Sequence, residues 1–294
     1  MKFPVDDTVK EKLNQHLADL EQTLQADVLA FYGAILDGIE ETFREIVEQL
    51  YADGKHQTLY IALKTPGGSP FAVERLVSIV RHHYHEVNFI VPDYAYSAGT
   101  IFCMSGDNIF MDYFSVLGPI DPQIITKDGR MVPALGHLDK VNELLDKSRK
   151  NTLTAAEFII LKEFDLAELR QYEQARELTI DQLKKMAGIQ YKFKNWKKHT
   201  SSGKDVTRKE KLKRAEAIAQ LLSDTDKWKA HARPINMLSL REIGLKIEDY
   251  GSEEHAAKNH VIREYHRLLA DYAQKNNGSL PKSMGNQCYF CGRV

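Results

Sequence analysis

An α/β fold with a largely parallel sheet is what this 294-residue chain predicts, from two features of its first half. Between residues 27 and 124, short runs of apolar, β-branched and aromatic residues alternate with stretches of helical period. Such alternation implies parallel strands joined by crossover helices. In addition, the glycine-containing turns at Thr65–Ser69 and Tyr96–Gly99 each directly follow a strand-like run. In a parallel sheet both fall at the carboxyl ends of strands, where sites form.

The elements follow in order. Val9, Leu13, Leu17, Leu20 and Leu24 recur at helical spacing over residues 6–25. Asp27–Tyr32 is a short apolar run suited to a strand, and Ile35–Tyr51 carries the stripe Ile39, Phe43, Ile46, Val47, Leu50 of a second helix. Thr58–Leu63 is strand-like and is broken by Thr65-Pro66-Gly67-Gly68-Ser69-Pro70. A third helix is predicted from Phe71 to His85, then a strand over Val87–Val91, a turn carrying Ser97, and a helix starting at or just after it. Asn108–Met111 is another strand, and Val116-Leu117 leads into Gly118-Pro119-Ile120-Asp121-Pro122-Gln123, too rich in proline for helix.

Beyond that the pattern turns helical and charged until about Asp226, and Lys184–Arg214 holds twelve basic residues against two acidic ones. A basic run is ordinarily a solvated face. The aromatic residues within it, Tyr191, Phe193 and Trp196, are too few to argue for a nucleic-acid partner. α/β character returns with His231-Ala232-Arg233-Pro234-Ile235, a short helix from Leu238 to Ile243, and Gly244-Leu245-Lys246-Ile247. One more helix is predicted over 253–275 and a loose end from Asn276. The expected division is an N-terminal helical arm (1–26), a core (27–140), a helical, partly basic insertion (141–226), a return to the core (227–252), and a C-terminal helix with a flexible tail (253–294).

Composition narrows the class. With 40 basic and 41 acidic residues the charge is balanced, so no polyelectrolyte partner is implied. Three cysteines exclude a disulfide scaffold and fit a reducing compartment. No stretch is apolar enough to cross a bilayer, and the first residues turn acidic without an apolar h-region. A cytoplasmic location is expected, without membrane contact.

Ser97 is the residue of most chemical interest. A serine ahead of a helix is ordinarily an N-cap. It also sits where free amide N–H groups favour developing negative charge, and Ala98 and Gly99 leave room for a carbonyl to approach. Acyl transfer needs a nucleophile, a base and N–H donors aimed at the oxyanion. Gly67 or Gly68 can aim one such amide because glycine reaches backbone angles closed to other residues, and the amide of Ala98 can supply another. No G-x-x-x-x-G-K-[ST] phosphate loop is present.

Thr65-Pro66-Gly67-Gly68, Tyr96-Ser97-Ala98-Gly99-Thr100, Leu117–Gln123 and His231–Ile235 come in the order seen in the serine dehydrogenase proteinase family. The chain resembles that family from about residue 20 to 270. The family belongs to the Clp peptidase/crotonase-like superfamily and is related to signal peptide peptidase A. The resemblance implies a spiral of ββα units, here with a long helical insertion, and a homo-oligomer. It also implies a serine peptidase acting on peptide or protein substrates through Ser97, with Gly67, Gly68 and Ala98 as oxyanion hole; no metal or cofactor is expected, and the peptidase is expected to be ATP-independent. With no ATPase motif, unfolding would need a separate regulatory partner.

The base is where this sequence departs from Clp peptidases. Where they carry a histidine, after the strand that follows the nucleophile helix, it has Asp121; where they carry the triad aspartate it has His231. The two supporting roles are therefore expected to be exchanged, His231 as base and Asp121 orienting it, since triads are recognised by geometry and not by chain order. The competing arrangement is a serine–lysine dyad like that of signal peptide peptidase A, with Lys140 as base. That requires burial to lower the lysine pKa. Two other classes compete: a non-catalytic assembly or partner-binding module on the same scaffold, and an acyl-CoA enzyme of crotonase type, which needs no nucleophilic serine. Of the remaining features, His82, His83 and His85 point different ways around a helix, Cys288 and Cys291 read as half a zinc ligand set or a redox pair, and Cys103 suits the core. Tyr94 and Tyr96 suit either a substrate cleft or the core.

Overall fold

Every strand of the main parallel sheet up to residue 111 is followed by a short extended segment in a second layer, and in the first three turns a helix comes next. The computed structural model describes residues 4–53, 56–125, 131–187, 191–199, 203–277 and 289–291. After α1 (Pro4–Leu24), the first turn is β1 (Asp27–Tyr32), an extended bridge at Ile35, and α2 (Glu40–Asp53). The second is β2 (Thr58–Lys64), bridges at Thr65 and Gly68, and α3 (Pro70–His83). The third is β3 (Glu86–Ile90), β4 (Tyr94–Ala95) and α4 (Ala98–Met104); β5 (Asn108–Met111) and β6 (Val116–Leu117) follow. This is the expected ββα spiral. β7 (Gln123–Ile125) and β8 (Met131–Pro133) form a separate hairpin.

The insertion contains α5 (Ala134–Arg149), α6 (Ala155–Lys162), α7 (Leu166–Ala187) and α8 (Arg208–Ser223). The chain returns through α9 (Thr225–Trp228), β9 (Ile235–Asn236), α10 (Met237–Glu242) and β10 (Glu248–Asp249), and continues with α11 (Ala256–Asn277) and β11 (Tyr289–Cys291). The main sheet has the order β10-β5-β3-β2-β1-β11, parallel throughout except for β11. The smaller sheet is β4-β6-β9, with β9 antiparallel to β6.

Because helices cover both faces, β1 is buried at every position and shows no polar alternation. Leu29 and Phe31 point to one side, into a core shared with Ile61, Leu63, Phe89 and the apolar faces of α2, α3, α4 and α8. Val28, Ala30 and Tyr32 point to the other, against Leu13, Leu17 and Leu20 of α1 and Ile262, Tyr265 and Leu269 of α11.

Three expectations change. α2 starts at Glu40 and not Ile35, because Ile35 pairs with Gly68 and Gly38 (φ +95°) redirects the chain. The solvated face expected of the basic run is the second, since the insertion joins the core that surrounds α4 through Leu183 and Met186 of α7 and Ile218 and Leu222 of α8. The basic run is partly turned inward, where Lys194 pairs with buried Asp107 (2.6 Å) and Lys211 donates to Lys194 O (2.9 Å). Burial would push the Asp107 carboxyl up, but Lys194, the Val87 amide and Arg81 hold it below the usual carboxylate range. Finally, the end of the chain is not loose throughout, since Tyr289–Cys291 pairs with Ala30–Tyr32.

Candidate active site

The stretch from Ile90 to Ala98 turns sharply. β3 delivers it at the carboxyl edge of the main sheet, β4 carries it into the smaller sheet, and α4 begins at Ala98 with all seven of its residues buried. Between them Ser97 adopts φ +52°, ψ −115°, a conformation that costs a residue with a side chain about 1–3 kcal/mol. Its hydroxyl makes no capping bond to the helix, so the N-cap reading fails. The turn is held from below by Thr100. Its buried hydroxyl accepts the Gly118 N–H (3.1 Å) and has its single proton to give to Ala95 O (2.9 Å) or Gly118 O (2.8 Å).

The second glycine turn approaches from β2. Gly67 lies so close to the serine that a Cβ there would stand 2.7 Å from Tyr96 O and 2.9 Å from Ser97 Cβ. Its amide, however, is engaged: it donates to the Thr65 hydroxyl at 3.1 Å. Of the two glycines expected to serve the oxyanion, Gly67 thus has its amide occupied in this structure. Gly68 (φ +144°) is exposed to the cavity, and its amide has no partner among the described residues. The Ala98 amide, first in its helix, is likewise unpaired. Gly68 and Ala98 are thus the pair with N–H groups to offer.

His231 and Asp121 meet across the smaller sheet. Antiparallel pairing sets Leu117 of β6 opposite Ile235 of β9. Four residues past Leu117 and four before Ile235, the same register reaches Asp121 and His231, whose Oδ1 and Nδ1 lie 2.9 Å apart. Asp121 is 3% exposed and His231 26%. Where Asp121 is ionised and accepts, Nδ1 is the donor, and a neutral imidazole then keeps its lone pair on Nε2. Both residues line one cavity of about 430 Å³ together with Ser97, Ala98 and Gly68.

Lys140 is not among the residues lining that cavity. It lies on α5, half exposed, and pairs with Glu143 at 2.9 Å, so the burial that would make it a base is missing. Tyr94 and Tyr96 stack on each other with centroids 5.2 Å apart, and Gly118 packs against the Tyr96 ring. Cys103 is fully buried and burial pushes its thiol up, as suits a core residue. His82 and His83 stack edge to face, and no metal-competent cluster exists among the described residues. Cys288 lies outside the described residues. The rest of the wall includes Ile101, Ile120 and, from α7 of the helical insertion, Ala175, Leu178 and Thr179, residues that the sequence pattern does not single out.

Residues 31–204 match the family described as ClpP-like SDH-type serine proteinase, a span that includes Ser97 and Asp121 and stops short of His231. Two curated relatives come from Methanocaldococcus jannaschii, both described as uncharacterized. MJ0137 is 37% identical over 84 residues, 29% of this chain and 29% of that protein. MJ1495 is 24% identical over 234 residues, 80% of this chain and 63% of that protein. The chain therefore spans less than two thirds of the length of these relatives. Among solved structures it is similar to the 1510-N membrane-bound stomatin-specific protease. For a serine-to-alanine mutant of that protease the identity is 14%, over 79% of this chain and 82% of the other, with a TM-score of 0.47. For a lysine-to-alanine mutant in complex with a substrate peptide it is 22%, over 61% and 85%, with a TM-score of 0.31.

Proposed function

This chain belongs to the ClpP-like SDH-type serine proteinase family, and from that premise we propose that it hydrolyses peptide bonds through an acyl-enzyme on Ser97. The observation that carries the reading is the His231–Asp121 hydrogen bond in the cavity that also holds Ser97. Ser97 Oγ attacks the scissile carbonyl and its proton passes to His231 Nε2. Asp121 keeps the imidazole in the tautomer that can accept it and stabilises the imidazolium. Negative charge develops on the former carbonyl oxygen, where the Gly68 and Ala98 amides receive it. Collapse of the tetrahedral intermediate expels the amine, which takes the proton from His231. A water then repeats the sequence on the acyl-enzyme and frees Ser97.

Nothing in this cycle consumes a nucleotide, and the reaction is ATP-independent. Folded substrates would depend on a separate protein to unfold them. No described helix is long and apolar enough to cross a membrane. We place the protein in the cytoplasm, as a homo-oligomer that takes peptide or protein substrates.

Labelling with a fluorophosphonate, with mass spectrometry to locate the adduct, tests the reading. The adduct is expected on Ser97, absent in Ser97→Ala, and strongly slowed in His231→Ala. Asp121→Asn favours the wrong tautomer and should lower kcat by roughly 10³-fold or more with little change in KM. Labelling that survives His231→Ala and vanishes in Lys140→Ala would replace the triad by the dyad.

A further inference from the structure

Ala175, Leu178 and Thr179 of α7 face the cavity that holds Ser97. They are three and four residues apart and so form one stripe of the helix, which continues by one turn to Gln182. Gln182 is 2% exposed, and neither its carbonyl oxygen nor its NH₂ has a partner among the described residues. Docking this part of α7 removes water from an amide and returns no hydrogen bond, which counts against the docked position. What favours docking is apolar contact through Leu183 and Met186, helped by two ion pairs: Lys184–Glu216 (2.8 Å) to α8 and Lys185–Glu74 (3.3 Å) to α3. All four charged groups are substantially exposed, so each pair contributes little. A helix that walls the site and carries such a penalty is docked less firmly than its apolar contacts through Leu183, Met186 and Ile180 alone would hold it.

We infer that α7 is a movable wall that controls which substrates reach Ser97. Docked, it leaves a cavity of about 430 Å³, near the lower end for ligand sites. On this inference a small acylating reagent still enters the docked site, whereas an extended chain that must pass the serine on both sides meets Ala175, Leu178 and Thr179. Displaced, it opens the groove to a polypeptide and lets the Gln182 amide find water or backbone partners. The inference rests on Ser97 being the nucleophile and adds the control of access to it.

The test fixes α7 to α3. Glu74→Cys and Lys185→Cys are combined with Cys288→Ser and Cys291→Ser and joined by a flexible bismaleimide; Cys103 is fully buried and out of reach of the reagent. Ser97 labelling by a fluorophosphonate and hydrolysis of fluorescent casein are measured before and after crosslinking. Because casein turnover scales with the displaced fraction, crosslinking should lower it about tenfold or more while labelling stays within about twofold. Gln182→Leu, without any crosslink, removes the penalty on docking; it should lower casein hydrolysis and raise Tm. Casein hydrolysis that is unchanged by crosslinking, or labelling that is lost along with it, would overturn the inference. Absence of labelling in the uncrosslinked protein would instead strike the serine-nucleophile reading.

Discussion

Ser97 is held at φ +52°, ψ −115° among close neighbours: a Cβ at Gly67 would crowd the Ser97 Cβ, and Thr100 ties Ala95 of β4 to Gly118 just past β6. The hydroxyl makes no bond to the helix it would otherwise cap, and the cost of the strain is borne by the fold. A residue without Cβ would be relieved of much of it. Ser97→Gly should therefore be more stable than Ser97→Ala by about 1 kcal/mol, a Tm difference of roughly 2–4 °C, with both variants unreactive toward fluorophosphonate. Equal melting temperatures would mean that the turn is unstrained. At this scale the sequence was informative wherever a residue type has few uses, as with a serine between a strand and a helix. It did not separate Gly67 from Gly68, because the choice depends on the Thr65 hydroxyl taking one of two amides. Nor did it show that Lys140, beside apolar Val141 and Leu144, turns its ammonium to Glu143 and water.

At the scale of elements, the strands of the main sheet were legible almost to the residue, because buried parallel strands are short apolar runs closed by turn residues. The start of α2 was not, since Ile35 looks helical locally but is claimed by Gly68 across the second layer. The site-facing side of α7 was equally hidden, because nothing in a charged amphipathic helix says which neighbour it meets. α11 adds a property that only its docking reveals. It sets His266 against the end of β1, with Tyr32 OH 2.9 Å from Nδ1, near the Lys64–Asp93 pair. Burial, and then the charge of Lys64, push the imidazole down to about 4. The unfolded chain, with an ordinary histidine near 6.5, takes up the proton first as pH falls. Stability from this group is thus complete above about pH 6.5 and is lost toward pH 4, by up to roughly 3 kcal/mol. Urea midpoints should decline over that window in the wild type and decline less in His266→Gln. Parallel declines in the two proteins would remove His266 as the cause.

For the whole molecule, the main sheet is a partition between two cores. Ser97, His231 and Asp121 belong to the side covered by α2, α3, α4 and α8, whereas α1 and α11 cover the other side and supply no residue to the site cavity. Yet the strands that position the glycine turn and the serine are buried on both faces: Ala62 and Ile90 point to the far core while their neighbours Ile61, Leu63 and Phe89 point to the near one. A loss of packing behind the sheet should therefore be felt in front of it. Leu17 of α1 is 1% exposed within the far core, and Leu17→Ala should cost about 2–5 kcal/mol. Trp228 reports from the other side, 8% exposed in the near core with its indole N–H donating to Leu221 O at 2.7 Å. If the two layers fold as one unit, Leu17→Ala lowers the urea midpoint of the tryptophan signal and that of Ser97 labelling together, in a single transition. If α1 is only an arm laid on a self-sufficient core, the tryptophan and labelling midpoints stay where they are and only the helical far-UV signal shifts.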